Sequence, residues 1–242
     1  MNAPRLRPSS LVESFNFAFE GIIHVLRTQR NMRIHFMIAV AVLIAALATG
    51  VEKIELIALL LSIAFVLITE MVNSAIEGAI DVATTSFDPM AKLAKDIAAG
   101  AVLIATVTAT AVGYLVFAER LRDPSLRVLD ELRDAPFELT VIALVLTMML
   151  VIGAKAYTGR GTPLRGGLPS GHAALAFGSW MAVTYLLGDA QYWFLISTLT
   201  FIMALLVVQT RIEAGVHSVF EVFLGGMLGA LVTLAIFQVF WS

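Results

Sequence analysis

Seven apolar runs constrain this chain more than anything else in it: 34–48, 56–80, 97–117, 137–154, 173–187, 193–208 and 219–240. A helix of about 20 residues spans the roughly 30 Å hydrocarbon core of a bilayer, and in lipid each backbone N–H and C=O must be satisfied within the segment or within a closed barrel. Runs this long and this continuous suit helices, so the expected fold class is all-α, polytopic, with about seven spans. A composition that is 59% hydrophobic and 14% charged, with a mean hydropathy of +0.90, is too apolar for a water-soluble domain of 242 residues. The absence of cysteine excludes a disulfide framework, a thiolate nucleophile and a cysteine metal site. No phosphate-binding P-loop, dinucleotide fingerprint or cationic tract long enough for nucleic acid occurs, so nucleic acid is not an expected partner.

Residues 1–10 carry Pro and Arg without an apolar core and do not read as a cleaved signal peptide. From Leu11 to Arg30 the apolar Phe15, Phe19, Ile22, Ile23 and Leu26 recur at helical spacing beside Glu13, Asn16, Glu20, Arg27 and Arg30, which predicts an amphipathic helix on the membrane interface. Gly50 to Glu55 reads as a charged turn, and Ala83 to Lys95 as a polar loop whose Asp88-Pro89 signals a helix start. The long hydrophilic connector 119–136 divides an N-terminal domain, 1–118, from a C-terminal one, 137–242.

Within the second run, Glu70, Asn73, Glu77 and Asp81 fall inside an arc of roughly 80° on one helix face. A charge near the bilayer centre costs about 3 kcal/mol even on mild scales, so such groups face a bundle interior, a partner or a metal. A polar seam between helices is the plainer alternative. Thr28-Gln29-Arg30-Asn31-Met32-Arg33-Ile34-His35, then Glu70-x-x-Asn73-x-x-x-Glu77-x-x-x-Asp81, then Ala94-Lys95-Asp96, resemble the small bacterial integral-membrane diacylglycerol and undecaprenol kinases over residues 11–118. That resemblance implies transfer of a phosphoryl group from ATP with Mg²⁺ to a lipid hydroxyl at the cytoplasmic face of the bacterial inner membrane, by a homotrimer. It further implies Glu70 as general base, Glu77 and Gln29 at the metal, and Asn73, Lys95 and Asp96 at substrate and nucleotide. Gln29 stands where the best-known members carry a Glu; it offers a carbonyl oxygen but no charge.

The fourth run ends in Lys155-Ala-Tyr-Thr-Gly-Arg160-Gly-Thr-Pro-Leu-Arg165-Gly-Gly-Leu-Pro169-Ser170-Gly171-His172, the most loop-like stretch of the chain. Pro-Ser-Gly-His opening a helix makes an anion-binding terminus, since free N–H groups and the positive end of the helix dipole favour phosphate. Lys155, Arg160 and Arg211 supply cations. His217 and Glu221 stand four residues apart, one helical turn, so the carboxylate can fix the imidazole tautomer and leave the other nitrogen as a nucleophile. Over 137–240 this pattern resembles the type 2 phosphatidic acid phosphatases, which hydrolyse lipid phosphates through a phosphohistidine without a cofactor. By that resemblance His217 is the nucleophile, His172 the acid, Glu221 the orienter, and Lys155, Arg160, Ser170, Gly171 and Arg211 the phosphate pocket. The sequence departs from the family in a shortened Lys-to-Arg spacing, Thr210 for Ser, Glu221 for Asp, and four spans where six are usual.

The combined expectation is a lipid kinase fused to a lipid phosphatase, with lipid substrates, in a bacterial cytoplasmic membrane. One alternative keeps the phosphatase half active and makes the kinase half regulatory or structural; another makes the chain a transporter or a scaffold, and against the transporter no repeated short or broken hydrophobic segments appear in corresponding halves. Counting spans from a cytoplasmic N-terminal helix puts eleven of the 16 Lys and Arg on the inside, and with them both sites. A connector that re-enters would turn the phosphatase site outward.

Overall fold

The protein is described by a computed structural model covering residues 10–122, 136–159, 166–188 and 190–240. Eight helices make up almost all of these residues: α1 (Leu11–Thr28), α2 (Arg30–Thr49), α3 (Lys53–Ala83), α4 (Pro89–Arg122), α5 (Pro136–Thr158), α6 (Gly171–Leu187), α7 (Trp193–Glu213) and α8 (Val219–Phe240). Six of them, α2, α3, α4, α5, α7 and α8, are long and apolar enough to cross a membrane. The protein is therefore an all-α, multi-pass membrane protein. The remaining expected span, α6, has 17 residues, about 25 Å of helix, and falls short of a full crossing by its own length. Its first residue, Gly171, is already buried, so the helix begins below the surface of its bundle.

Element ends differ from the sequence reading wherever local capping overrides hydropathy. The interfacial helix stops at Thr28 rather than Arg30, because Gln29 takes an extended conformation (φ −94°, ψ 124°) and α2 restarts at Arg30. The charged turn at 50–55 is reduced to a hinge: Gly50 closes α2 in the left-handed region (φ 58°), and Glu52 with Glu55 forms a reciprocal capping box that starts α3 at Lys53. The loop expected over 83–95 ends at Asp88, whose carboxylate accepts the N–H groups of Met90 and Ala91 at 2.7 and 3.3 Å. Pro89 then serves as the first helical residue, and Lys92, Lys95 and Asp96 are helical. Residues 119–122 of the expected connector continue α4; residues 123–135 lie outside the described residues.

Two compact units are formed, residues 28–134 and residues 135–242 together with 1–27. In the first, α3 packs mainly along α4 and against α2, burying Leu43, Ala46, Leu56, Leu59 and Ala105 while Leu61, Phe65, Leu103 and Ile104 face outward, as expected where hydrocarbon is the solvent. In the second, α6 lies closest to α8. A Cβ on Gly229 would sit 1.8 Å from the Ala174 carbonyl oxygen, and one on Gly225 2.3 Å from that of Ser170, so only glycine lets these two backbones meet.

Candidate active sites

In the first unit, the α3 face predicted from periodicity is graded in depth. Glu70 (2% exposed) and Asn73 are buried, Glu77 is half-buried and Asp81 is exposed. Asn73 donates from Nδ2 to Glu77 Oε1 at 3.0 Å, which leaves its Oδ1 as a buried acceptor with no hydrogen-bond partner. Lys95 of α4 reaches across to the Asp81 carboxylate, while Asp96 pairs with Lys92 one turn earlier at 2.5 Å. Lys95 is thus tied directly to this face, and Asp96 is not. Gln29, in the break before α2, is half-buried and makes no capping bond with its side chain.

Among the described residues no group of three or more His, Asp or Glu side chains converges as a metal cage. Mg²⁺ does not require one, since it is commonly held through one or two carboxylates with water and substrate phosphates completing its shell. The orphaned Asn73 Oδ1 beside the Glu77 carboxylate is a pair of hard oxygen donors that fits this ion.

The second unit assembles its site from three helix ends. The last turn of α5 extends four residues past the apolar run, so Lys155 is helical; Gly159 (φ 70°) ends the helix by donating its N–H to the Lys155 carbonyl at 2.9 Å. The Lys155 ammonium is fully buried and donates to the carbonyls of Gly166 and Gly167 at 2.6 and 2.9 Å, pinning a turn in which both glycines have positive φ. A Cβ on Gly159 would lie 2.8 Å from Nη2 of Arg27, so a cation of α1 rests at this end of α5 as well. Arg160 lies outside the described residues.

Ser170 caps α6; its hydroxyl accepts weakly from the Ala173 N–H at 3.5 Å, and its own N–H donates to the Glu221 carbonyl at 3.0 Å. Gly171 and His172 form the first helical positions, with His172 half-buried. Arg211 is in the last turn of α7. The chain then reverses through Gly215 (φ 64°), and the Arg211 carbonyl accepts the N–H groups of Val216 and His217 at 3.2 and 3.3 Å.

The relation of His217 to Glu221 differs from that expected. His217 does not lie on a helix; it precedes Ser218, which caps α8. Glu221 accepts the Ser218 N–H through Oε2 at 3.0 Å, and Ser218 Oγ accepts the Glu221 N–H at 3.3 Å, a reciprocal capping box. The same Oε2 lies 3.0 Å from Nδ1 of His217. Helix capping, not a shared helix face, brings the two together. His217 is 4% exposed, and its Nε2 is buried with no hydrogen-bond partner. Burial holds the imidazole pKa below its ordinary value against the opposing pull of the Glu221 bond, and Lys155 and Arg211 lower it further. Lys155, Ser170, Arg211, His217 and Glu221 therefore form one cluster. Ser218 and Gly225 are the members that sequence reasoning missed, although Ser218-x-x-Glu221 is a legible capping signature.

Two family profiles match the chain, and they overlap over residues 104–117. The prokaryotic diacylglycerol kinase family profile matches residues 16–117, and the PAP2 superfamily profile matches residues 104–242, more than half of the chain. The undecaprenol kinase of Bacillus subtilis (strain 168) is 38% identical over 109 residues, 45% of this chain and 89% of that protein. The chain belongs to both families. It is a fusion of a diacylglycerol-kinase-type half and a PAP2 half. A diacylglycerol kinase of Synechocystis sp. (strain ATCC 27184 / PCC 6803 / Kazusa) is 42% identical over 113 residues, 46% of this chain; the chain spans 64% of that relative's length. No solved structure matches the chain. Gln29, Glu70, Asn73, Glu77, Lys95 and Asp96 lie in the kinase half; Lys155, Arg160, Ser170, Gly171, His172, Arg211, His217 and Glu221 lie in the PAP2 half.

Proposed function

We propose that the chain carries two opposed lipid-phosphate activities in a bacterial cytoplasmic membrane, an ATP-dependent lipid kinase in residues 1–118 and a lipid phosphatase in residues 137–242. The observation that carries the phosphatase reading is His217 Nε2, a buried imidazole nitrogen without a partner whose sister nitrogen is engaged by Glu221. A carboxylate on Nδ1 selects the tautomer with the proton there and leaves the Nε2 lone pair for attack. Nε2 attacks phosphorus, the P–O bond to the lipid breaks, and His172 gives a proton to the departing oxygen. Water then cleaves the P–N bond and releases inorganic phosphate. The N–H groups at the start of α6, with Arg211 and Arg160, neutralise the phosphoryl oxygens. Lys155 holds the Gly166–Gly167 turn against this site.

In the kinase half, Glu70 takes the proton of the lipid hydroxyl, whose oxygen attacks the γ-phosphorus of ATP and displaces ADP. Glu77 and Asn73, with Gln29, would hold Mg²⁺, which when bound neutralises charge on the phosphates. Lys95 and Asp96 bind nucleotide. The kinase half assembles as a homotrimer. A panel of lipids and lipid phosphates assayed with purified protein, with and without ATP and Mg²⁺, tests the whole reading: phosphate transfer and phosphate release support it, and ion flux in liposomes without turnover replaces it with a transporter.

A further inference from the structure

Between α6 and α7 lies an apolar groove of about 240 Å³. Its walls descend in register from the phosphatase site. Ala176 stands one helical turn beyond His172 on α6, and Val207 one turn before Arg211 on α7; from there the groove continues past Trp180 and Ala204 to Val183 and Thr200. Seven residues of α6 cover about 10 Å, so the groove leads from the proposed phosphate pocket roughly a third of the way across the hydrocarbon core.

The groove is a fixed shape. The Trp180 indole N–H donates to the carbonyl of Ser197 at 3.1 Å and also meets its hydroxyl at 3.3 Å, and that hydroxyl is 2.7 Å from Thr184 Oγ1. Phe177 meets the Trp180 ring edge-on at 6.0 Å, and Phe201 packs on it at 4.8 Å. A tryptophan anchored on its polar edge and packed in one cluster with Phe177 and Phe201, which meet each other at 5.8 Å, makes a firm wall, while alanines at 176 and 204 leave the space open.

We infer that this α6–α7 groove is the subsite for the hydrocarbon chain of the phosphatase's own substrate, placing the first stretch of the lipid tail directly beneath its phosphate. The inference rests on the phosphatase reading of the His172–His217 site and adds where the lipid lies. Continuity with that site on both walls distinguishes the groove from ordinary lipid-facing surface.

The test has two arms. Ala176→Phe fills the mouth of the groove; KM for a long-chain lipid phosphate should rise about tenfold while turnover of a short-chain, water-soluble phosphate monoester stays within about twofold. Equal effects on both, or none on either, would overturn the subsite. Independently of turnover, a long-chain alkyl phosphonate bearing a photoreactive group near its headgroup should crosslink the wild-type protein within 176–183 or 200–207. Crosslinks confined elsewhere would overturn it also. Failure of the phosphatase reading gives a different result: no phosphate released from either substrate.

Discussion

Nδ1 of His217 lies 3.0 Å from Oε2 of Glu221, and that same oxygen accepts the N–H of Ser218 that opens α8. One carboxylate thus sets the tautomer of the proposed nucleophile and the starting point of a membrane helix. His217→Ala should abolish phosphate release together with any phosphorylated-enzyme intermediate, and wild-type release should survive EDTA. Glu221→Ala should lower kcat by about 10²- to 10⁴-fold, as loss of an orienting carboxylate does. The same variant should cost about 1 kcal/mol of stability through the lost cap, read as an earlier thermal transition in detergent. Loss of activity on chelation would point to metal chemistry instead.

Burial lowers the His217 pKa, so the imidazole stays neutral and nucleophilic below the usual histidine value of about 6.5. The acid limb of phosphatase kcat/KM should therefore fall below that pH. For stability the unfolded chain binds the proton more readily, so the contribution of neutral His217 is present above about pH 6.5 and is lost as pH falls through the folded pKa. A pH–rate profile with paired thermal melts checks both; an acid limb above pH 6.5 would contradict the burial argument.

Glu70→Gln should remove ATP-dependent lipid phosphorylation and leave phosphate release intact, because it removes the proposed base, a buried carboxylate on α3, and changes no residue of the PAP2 half. Gln29→Glu should lower the Mg²⁺ concentration needed for half-maximal kinase rate by adding a charged oxygen ligand. Unchanged Mg²⁺ dependence would place residue 29 away from the metal.

The legible parts of this molecule were those governed by short-range periodicity. Helical spacing alone put Glu70, Asn73, Glu77 and Asp81 on one face, and the structure grades that face from buried to exposed. The Asp88-Pro89 signal coincides with the start of α4, while the polar composition that predicts a loop to Lys95 belongs to the exposed first turns of that helix. Less legible were features that depend on where two distant backbones meet. The carbonyls that receive Lys155 are 11 and 12 residues away, in a turn whose path its glycines decide. In the sequence Gly225 is one of many small residues in an apolar helix, and only the approach of Ser170 makes it indispensable. A histidine and an acid four residues apart fit a helix face, whereas the intervening Ser218 with Glu221 carries the capping signature that the structure uses.

That backbone approach gives a direct stability test. Gly225→Ala, whose new Cβ would fall 2.3 Å from the Ser170 carbonyl oxygen, should force α6 and α8 apart and cost about 1–3 kcal/mol. Phosphate release should fall with it, since Ser170 heads the proposed anion-binding turn. Gly100→Ala on α4, where a Cβ meets nothing within 4 Å, should be neutral or slightly stabilising. Thermal transitions in detergent that rank the two variants the other way would contradict the close packing.

The sidedness of the phosphatase site follows from counting crossings. Phe87, 81% exposed, follows two spans, and Tyr157, 94% exposed, stands in the last turn of the fourth. If α4 and α5 each cross once and the connector does not, both residues emerge on the same side, the cytoplasmic side when α1 is cytoplasmic. A kinase and a phosphatase on one leaflet would hydrolyse ATP futilely on any shared lipid, so we expect them to use different lipids or to be active at different times. A connector that re-enters the membrane would place Tyr157 outside, the orientation suited to an exported lipid phosphate. Since the chain contains no cysteine, single Phe87→Cys and Tyr157→Cys variants report cleanly to an impermeant thiol reagent. Protection of both in intact cells, with labelling of both after permeabilisation, is the expected outcome. Labelling of the Tyr157→Cys variant alone in intact cells would turn the phosphatase outward and remove the futile cycle with it.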